Sequence, residues 1–279
     1  MKLFAIAAIV MTAFAANSLL NRAALAGGHI GPLDFALLRV ASGAVVLAAL
    51  ATRSTGVQWL RAFRATNIGA LTVYLLGFSL AYLALPAGAG ALILFAAVQI
   101  TMFGGALLAG EAIPTRRWTG AFLALAGLTW MLLPGSGGIS PLAGALMALA
   151  GIGWGVYSLR GRAGGSALGT TAASFAGAVP FALIARLSMP DEQVDIDAAG
   201  VALAVLSGGV TSGLGYALWY SILPALGASR AAVAQLAVPV IAVIGGVAFL
   251  GEDVTMRLVL SCLLVVGGVG VGLAPSRRA

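Results

Sequence analysis

The residues of this chain that could do chemistry are aromatic rings and neutral amides at helical spacing. Tyr74, Phe78 and Tyr82 recur at i, i+4 and i+8, and Phe95, Gln99 and Met102 at i, i+4 and i+7, so each set lines one helical face. Trp154, Tyr157 and Ser158 repeat the pattern, as do Ser212, Tyr216, Trp219 and Tyr220, with Asn17 and Gln235 as further amides. Such rings wall in a planar apolar group or an organic cation. The amides offer donors and acceptors to an amino-acid backbone without the cost of a buried charge. Catalysis is not expected. A hydrolase needs a nucleophile beside a base, yet the one histidine, His29, sits in the loop Gly27-Gly28-His29-Ile30-Gly31, and no spaced His/Cys/Asp set suggests a metal or another cofactor. The one cysteine, Cys262, lies within an apolar run and can form no intrachain disulfide.

These faces need membrane helices to carry them. Hydrophobic residues make up 61% of the 279, charged ones only 8%, and the mean hydropathy of +1.07 is far above that of a soluble domain. A hydrocarbon core about 30 Å thick takes roughly 20 apolar residues per span. Apolar runs fall near 3–26, 32–52, 67–85, 88–109 and 117–134, then 140–159, 168–188, 198–222, 229–250 and 256–274. The expected fold class is an all-α polytopic membrane protein of ten transmembrane helices. Gly and Pro mark most joins, as at Gly31-Pro32, Ile113-Pro114 and Ser140-Pro141, where a missing N–H suits a helix end. Pro180 and Pro239 fall inside spans and are expected to kink them, Pro239 as a gating element. The N-terminus imitates a secretory signal with Ala13-Phe14-Ala15, but the apolar run continues to Ala26 and reads as a retained first helix.

The charges set an orientation. The net charge of +7 comes from basic residues scattered at the ends of apolar runs, not from a dense basic face, so no nucleic-acid partner is expected. With the N-terminus inside, 11 of the 15 basic residues fall on the cytoplasmic side, which predicts an inner-membrane protein with both termini cytoplasmic. Arg22, Arg39, Arg186 and Arg257 fall on the other side with Asp191, Glu192, Asp195 and Asp197. Arg39, five residues after Asp34 at the mouth of the second span, is expected to snorkel or pair there. No carboxylate sits at mid-span, which leaves a facilitator or exchanger open beside a proton antiporter.

An internal repeat organises the chain. Gly104-Gly105-Ala106-Leu107-Leu108-Ala109-Gly110-Glu111 returns as Gly245-Gly246-Val247-Ala248-Phe249-Leu250-Gly251-Glu252 after 141 residues, and Ser18-Leu19 as Ser158-Leu159 after 140. The expected division is therefore 1–136 and 137–279. Five spans, an odd number, separate the copies, so the halves enter the membrane in opposite directions and a substrate site is expected where they meet near the midplane. Glu111 and Glu252 each precede a helix, where a carboxylate complements the N-terminus, and are read as structural.

The G-G-x-x-x-x-G-E endings, the glycine-rich spans that follow them and Leu236-Ala237-Val238-Pro239-Val240 resemble the EamA domains of the drug/metabolite transporter superfamily along the whole chain. Within it, the length, the ten-span layout and the central aromatic and polar residues are most similar to the YddG-type exporters of aromatic amino acids. The first half departs from the pattern, with Val98-Gln99 where the proline would stand. The resemblance implies two EamA repeats that export aromatic and other neutral amino acids by alternating access. The partners expected are that small-molecule substrate and the lipid bilayer, with the chain a monomer. A broad exporter of drugs or organic cations such as viologens is the competing expectation.

Overall fold

The computed structural model describes residues 2–108, 115–132, 140–160, 166–189, 194–219, 221–222, 225, 235 and 237–273, which are helical almost throughout. The helices are α1 (Lys2–Ala26), α2 (Pro32–Thr55), α3 (Ala65–Ala81), α4 (Ala87–Leu108), α5 (Thr115–Leu132), α6 (Pro141–Arg160) and α7 (Ala167–Ser188). They continue with α8 (Ala198–Trp219), α9 (Ala237–Leu250) and α10 (Met256–Leu273). Among the described residues α1, α2, α6, α7 and α8 are each long and apolar enough to cross a bilayer alone, while α3 and α9 are shorter apolar helices.

Local chemistry explains the ends. Pro32 and Pro141 open α2 and α6, where the proline's lost donor would have had no partner. Ser166 accepts from the Gly169 N–H at 3.1 Å to start α7, and Asp197 accepts from the Gly200 N–H at 2.8 Å to start α8. Gly56 (φ 63°) and Gly251 (φ 64°) follow α2 and α9 in the left-handed region, which a side chain would strain. Two features depart from the sequence reading. A 3₁₀ segment, Gly56–Ala62, fills the join between α2 and α3, and α3 stops at Ala81, so Tyr82 is its C-cap and no longer within a span. Pro180 does not end α7, which continues to Ser188.

Packing follows from small residues. A Cβ on Gly153 would lie 2.7 Å from the Ala70 carbonyl oxygen, and one on Gly151 2.6 Å from that of Leu94. The stretch Gly151-Ile152-Gly153 is thus the seam along which α6 meets α3 and α4. Further pairs are α2 with α7 and α8, α3 with α7, α1 with α8 and α9, α4 with α9, and α5 with α10. Outward faces stay apolar: Val45, Phe181, Ile184, Leu187 and Phe249 are all exposed, as lipid contact requires.

α8 carries an irregularity that matters for the interior. Its middle, Leu206–Leu214, winds as a π-helix, a form that re-aims side chains and is frequent at functional sites. There Gly208 lies against the backbone of Arg39, where its absent Cβ would collide with the Arg39 carbonyl oxygen and the Ser42 hydroxyl. This crossing presses α2 and α8 together.

Candidate functional site

Arg39, on the eighth residue of α2, is fully buried. It lies about 10 Å along the helix from Pro32 at about 1.5 Å per residue. Its Nη2 donates to the Tyr74 hydroxyl at 2.8 Å and its Nε to Ser212 Oγ at 3.3 Å. The guanidinium carbon sits 4.8 Å from the Phe78 ring centre and 5.3 Å from that of Tyr74. Nη1 is buried without a partner. The expected snorkelling or pairing with Asp34 is therefore overturned. Residues five apart on a helix point about 140° from one another at 3.6 residues per turn. Asp34 instead accepts from Arg186 of α7 at 2.6 Å, while Arg39 turns inward. The site thus contains the buried charge that the amides were expected to make unnecessary.

Beside Arg39 the helices enclose a cavity of about 20 Å³, lined by Phe14, Asn17, Ser18, Tyr74, Phe78, Leu94, Phe95, Trp154 and Tyr216. That holds about one water. The rings form a continuous network: Trp154 lies 5.0 Å from Tyr74 and 4.9 Å from Tyr216, and Phe14 lies 5.6 Å from Tyr216 in an edge-on contact. Asn17 anchors the polar corner. Its Oδ1 accepts from Ser207 at 2.9 Å, Thr211 at 2.5 Å and Ser212 at 3.3 Å, three hydroxyls that the π-helical turn of α8 brings to one point.

Of the residues singled out in the sequence, Asn17, Tyr74, Phe78, Phe95, Trp154 and Tyr216 line this cavity. Tyr82, Tyr157 and Trp219 form a second layer. Tyr82 meets Phe78 edge-on at 4.8 Å and donates to the Ala87 carbonyl at 3.2 Å; Tyr157 bonds Thr171 at 3.1 Å; Trp219 packs on Phe14 at 5.9 Å. Ser158 donates to the Trp154 carbonyl of its own helix at 2.7 Å and stands off the cavity. Gln99 is half-buried and off the lining, its Nε2 without a partner, and Gln235 is buried. Pro239 is buried in the first described turn of α9, and Tyr220 and Glu111 lie outside the described residues. Sequence reasoning missed Phe14, Ser18 and Leu94 of the lining, and Arg39 beside it. Phe14 and Ser18 are an i, i+4 pair with Asn17 between them, a signal that was readable but hidden in an alanine-rich helix.

Three polar links tie helices at one end of the bundle. Glu252 Oε1 accepts from the Ala87 N–H at 2.7 Å and lies 3.8 Å from Arg22 Nε, so this carboxylate caps α4 and not the helix that follows it in sequence. Arg22 in turn donates to the carbonyls of Tyr82 and Leu83 at 3.1 Å each. His29 Nδ1 lies 2.7 Å from Asp197 Oδ2, and the Asp197 N–H donates to the His29 carbonyl at 3.1 Å. The Gly200 N–H, and after it His29, hold the Asp197 carboxyl below the usual carboxylate range. Arg186 and Asp34 make the third link.

The profile of the EamA-like transporter family matches residues 142–273. An uncharacterized protein of Pseudomonas aeruginosa is 45% identical over 275 residues, spanning 96% of this chain and 93% of its own length. A protein of known crystal structure is similar at a TM-score of 0.71 and 19% identity, over 100% of this chain and 99% of that one, a likeness of fold. With an all-helical bundle around a ring-lined interior, these relations make the chain a multi-pass membrane transporter and not an enzyme, a member of the EamA-like transporter family in the drug/metabolite transporter superfamily.

Proposed function

We propose that this transporter exports aromatic and other neutral amino acids across the inner membrane by alternating access, with all ten helices crossing the bilayer as two oppositely inserted repeats, residues 1–136 and 137–279. The cavity carries this reading: α1, α3 and α4 of the first half and α6 and α8 of the second contribute its wall. An aromatic chamber where two related halves meet fits a planar side chain.

The packing supports the repeat. Exchanging α1 with α6, α2 with α7, α3 with α8, α4 with α9 and α5 with α10 converts the most extensive contacts between the halves into others that exist: α3–α6 into α8–α1, α4–α6 into α9–α1, and α2–α8 into α7–α3. The pairs α2–α7, α4–α9 and α5–α10 map onto themselves. Direction agrees as well. Glu252 sits at the Ala87 end of α4, whereas Gly104, the counterpart of Gly245, lies 17 residues along α4, about 26 Å away at about 1.5 Å per residue.

A cavity that holds about one water is a closed state, so loading requires the halves to part. The three polar links then close the periplasmic end, with both termini cytoplasmic. Arg39 weighs against the organic-cation alternative, because a buried guanidinium beside the chamber repels a second cation in a low-dielectric setting.

Proteoliposomes given labelled phenylalanine, tryptophan, threonine and a viologen, with and without a pH gradient, test the reading. Flux is expected for the aromatic amino acids and little for the viologen, with Trp154→Ala slowing flux at unchanged protein yield. Viologen flux without amino-acid flux would overturn it.

A further inference from the structure

Every described carboxylate is away from Arg39. Asp34 holds Arg186, Glu252 lies by Arg22, Asp197 bonds His29, and Asp195 and Asp253 fall in the joins before α8 and after α9. Arg39, fully buried, therefore has no anion within ion-pair distance among the described residues. A guanidinium cannot shed its proton in a protein. An uncompensated charge inside a membrane bundle is costly enough to be rare, and where it occurs it marks a pathway or ligand partner by default. Neutral groups cover it only partly here: the Tyr74 hydroxyl, the Ser212 hydroxyl and the Phe78 ring, with Nη1 left over. Both covering aromatics, Tyr74 and Phe78, also line the cavity, so the rings over the guanidinium are part of the chamber wall.

We propose that Arg39 is the anchor for a carboxylate on the transported solute, which makes that solute an aromatic carboxylate, with the amino acid recognised through its acid end. The inference rests on the cavity being the transport site. Nη1 and Nη2 form the planar fork that matches two carboxylate oxygens. Nη1 is already free, and Nη2 is released when Tyr74 gives up its bond. In the closed, unloaded state Phe78 and Tyr74 cover the guanidinium with their ring faces. Loading draws these rings aside and sets a solute ring against Trp154 and Tyr216, with its acid end on Arg39.

Equilibrium binding to the purified full chain, with phenylalanine, 3-phenylpropanoate and phenethylamine as probes, tests this without any substitution. The two carboxylates are expected to bind, and phenethylamine on the order of 100-fold more weakly, because it leaves the buried donors unpaired. Arg39→Lys should keep the order of preference at reduced affinity. Arg39→Gln, checked for monodisperse elution, should bring the ratio of phenylalanine to phenethylamine close to one. Equal binding of phenethylamine and phenylalanine by the unaltered protein overturns the anchor, as does failure of both carboxylates to bind, or a folded Arg39→Gln protein that keeps the preference. The two readings separate: binding of 3-phenylpropanoate without phenylalanine transport keeps the anchor and removes the amino-acid exporter. Equal transport of phenylalanine and phenethylamine does the reverse.

Discussion

The side-chain oxygen of Asn17 accepts from three hydroxyls of α8, so its loss leaves several buried donors to find other partners at once. Thr211 already shares its hydroxyl with the Ser207 carbonyl at 2.9 Å and can retreat there; among the described residues the hydroxyls of Ser207 and Ser212 donate to Asn17 alone. Asn17→Ala is expected to cost about 1–3 kcal/mol, read as a lowered thermal midpoint in detergent, whereas Ser207→Ala alone should cost no more than about 1 kcal/mol. Glu252 allows a cleaner separation of charge from hydrogen bond. Glu252→Gln retains an oxygen for the Ala87 N–H and loses only the charge near the start of α4 and Arg22, a change of about 0.3–1 kcal/mol. Normal transport by this variant is the expected result, since the carboxylate serves as a cap; lost flux in a stable protein would instead assign it a proton-coupling role.

At the scale of the helix, glycines divide by what faces them. A Cβ on Gly208 would strike the backbone of Arg39, which cannot rotate away, so Gly208→Ala is expected to push α8 from α2 and destabilise by about 1–3 kcal/mol or more. It should also weaken substrate affinity, because the same crossing sets Ser212 on Arg39. Gly69 on α3 faces open space. Gly69→Ala should be neutral or stabilise by about 0.5–1 kcal/mol through helix propensity. Thermal unfolding of the two variants side by side checks both, and an equal loss at the two positions would refute the packing argument. The π-helical turn explains why the contrast is sharp. It brings Ser207, Thr211 and Ser212 to one amide while keeping Gly208 against α2.

For the molecule as a whole, the links at one end of the bundle are the parts that must open if the halves rock. The backbone bond between Asp197 and His29 brings these two segments of the chain within reach of a disulfide. In a Cys262→Ser background, a His29→Cys, Asp197→Cys pair is expected to stop flux when oxidised and to restore it on reduction; undiminished flux in the oxidised protein would exclude opening at that end. The same link has a defined acid response. The folded carboxyl of Asp197 lies below the ordinary aspartate value of 3.8, so its contribution is complete above 3.8 and is lost as pH falls through the lower folded value. Stability followed from pH 6 downward should thus show no loss from this group until the pH is below 3.8, and Asp197→Asn should remove that part of the acid limb.

The class, the order of the helices and most of their ends were determined by the sequence alone, because in lipid each backbone N–H and C=O must be satisfied within its own segment, and a long apolar run bounded by Gly or Pro has no alternative to a helix. Half of the site was legible for the same local reason: Tyr74 and Phe78 share a face at i, i+4 whatever surrounds them. Only the tertiary structure decided which faces met. Phe14 joined the wall because α1 packs on α8, and Tyr82 left it because α3 ends one residue before it. Arg39 changed most. Near Asp34 in sequence it resembled a charge at a helix mouth, but the Gly208 crossing and the turn of α2 drew it among Tyr74, Phe78 and Ser212. A charge's burial depends on partners many residues away, and no local spacing encodes them.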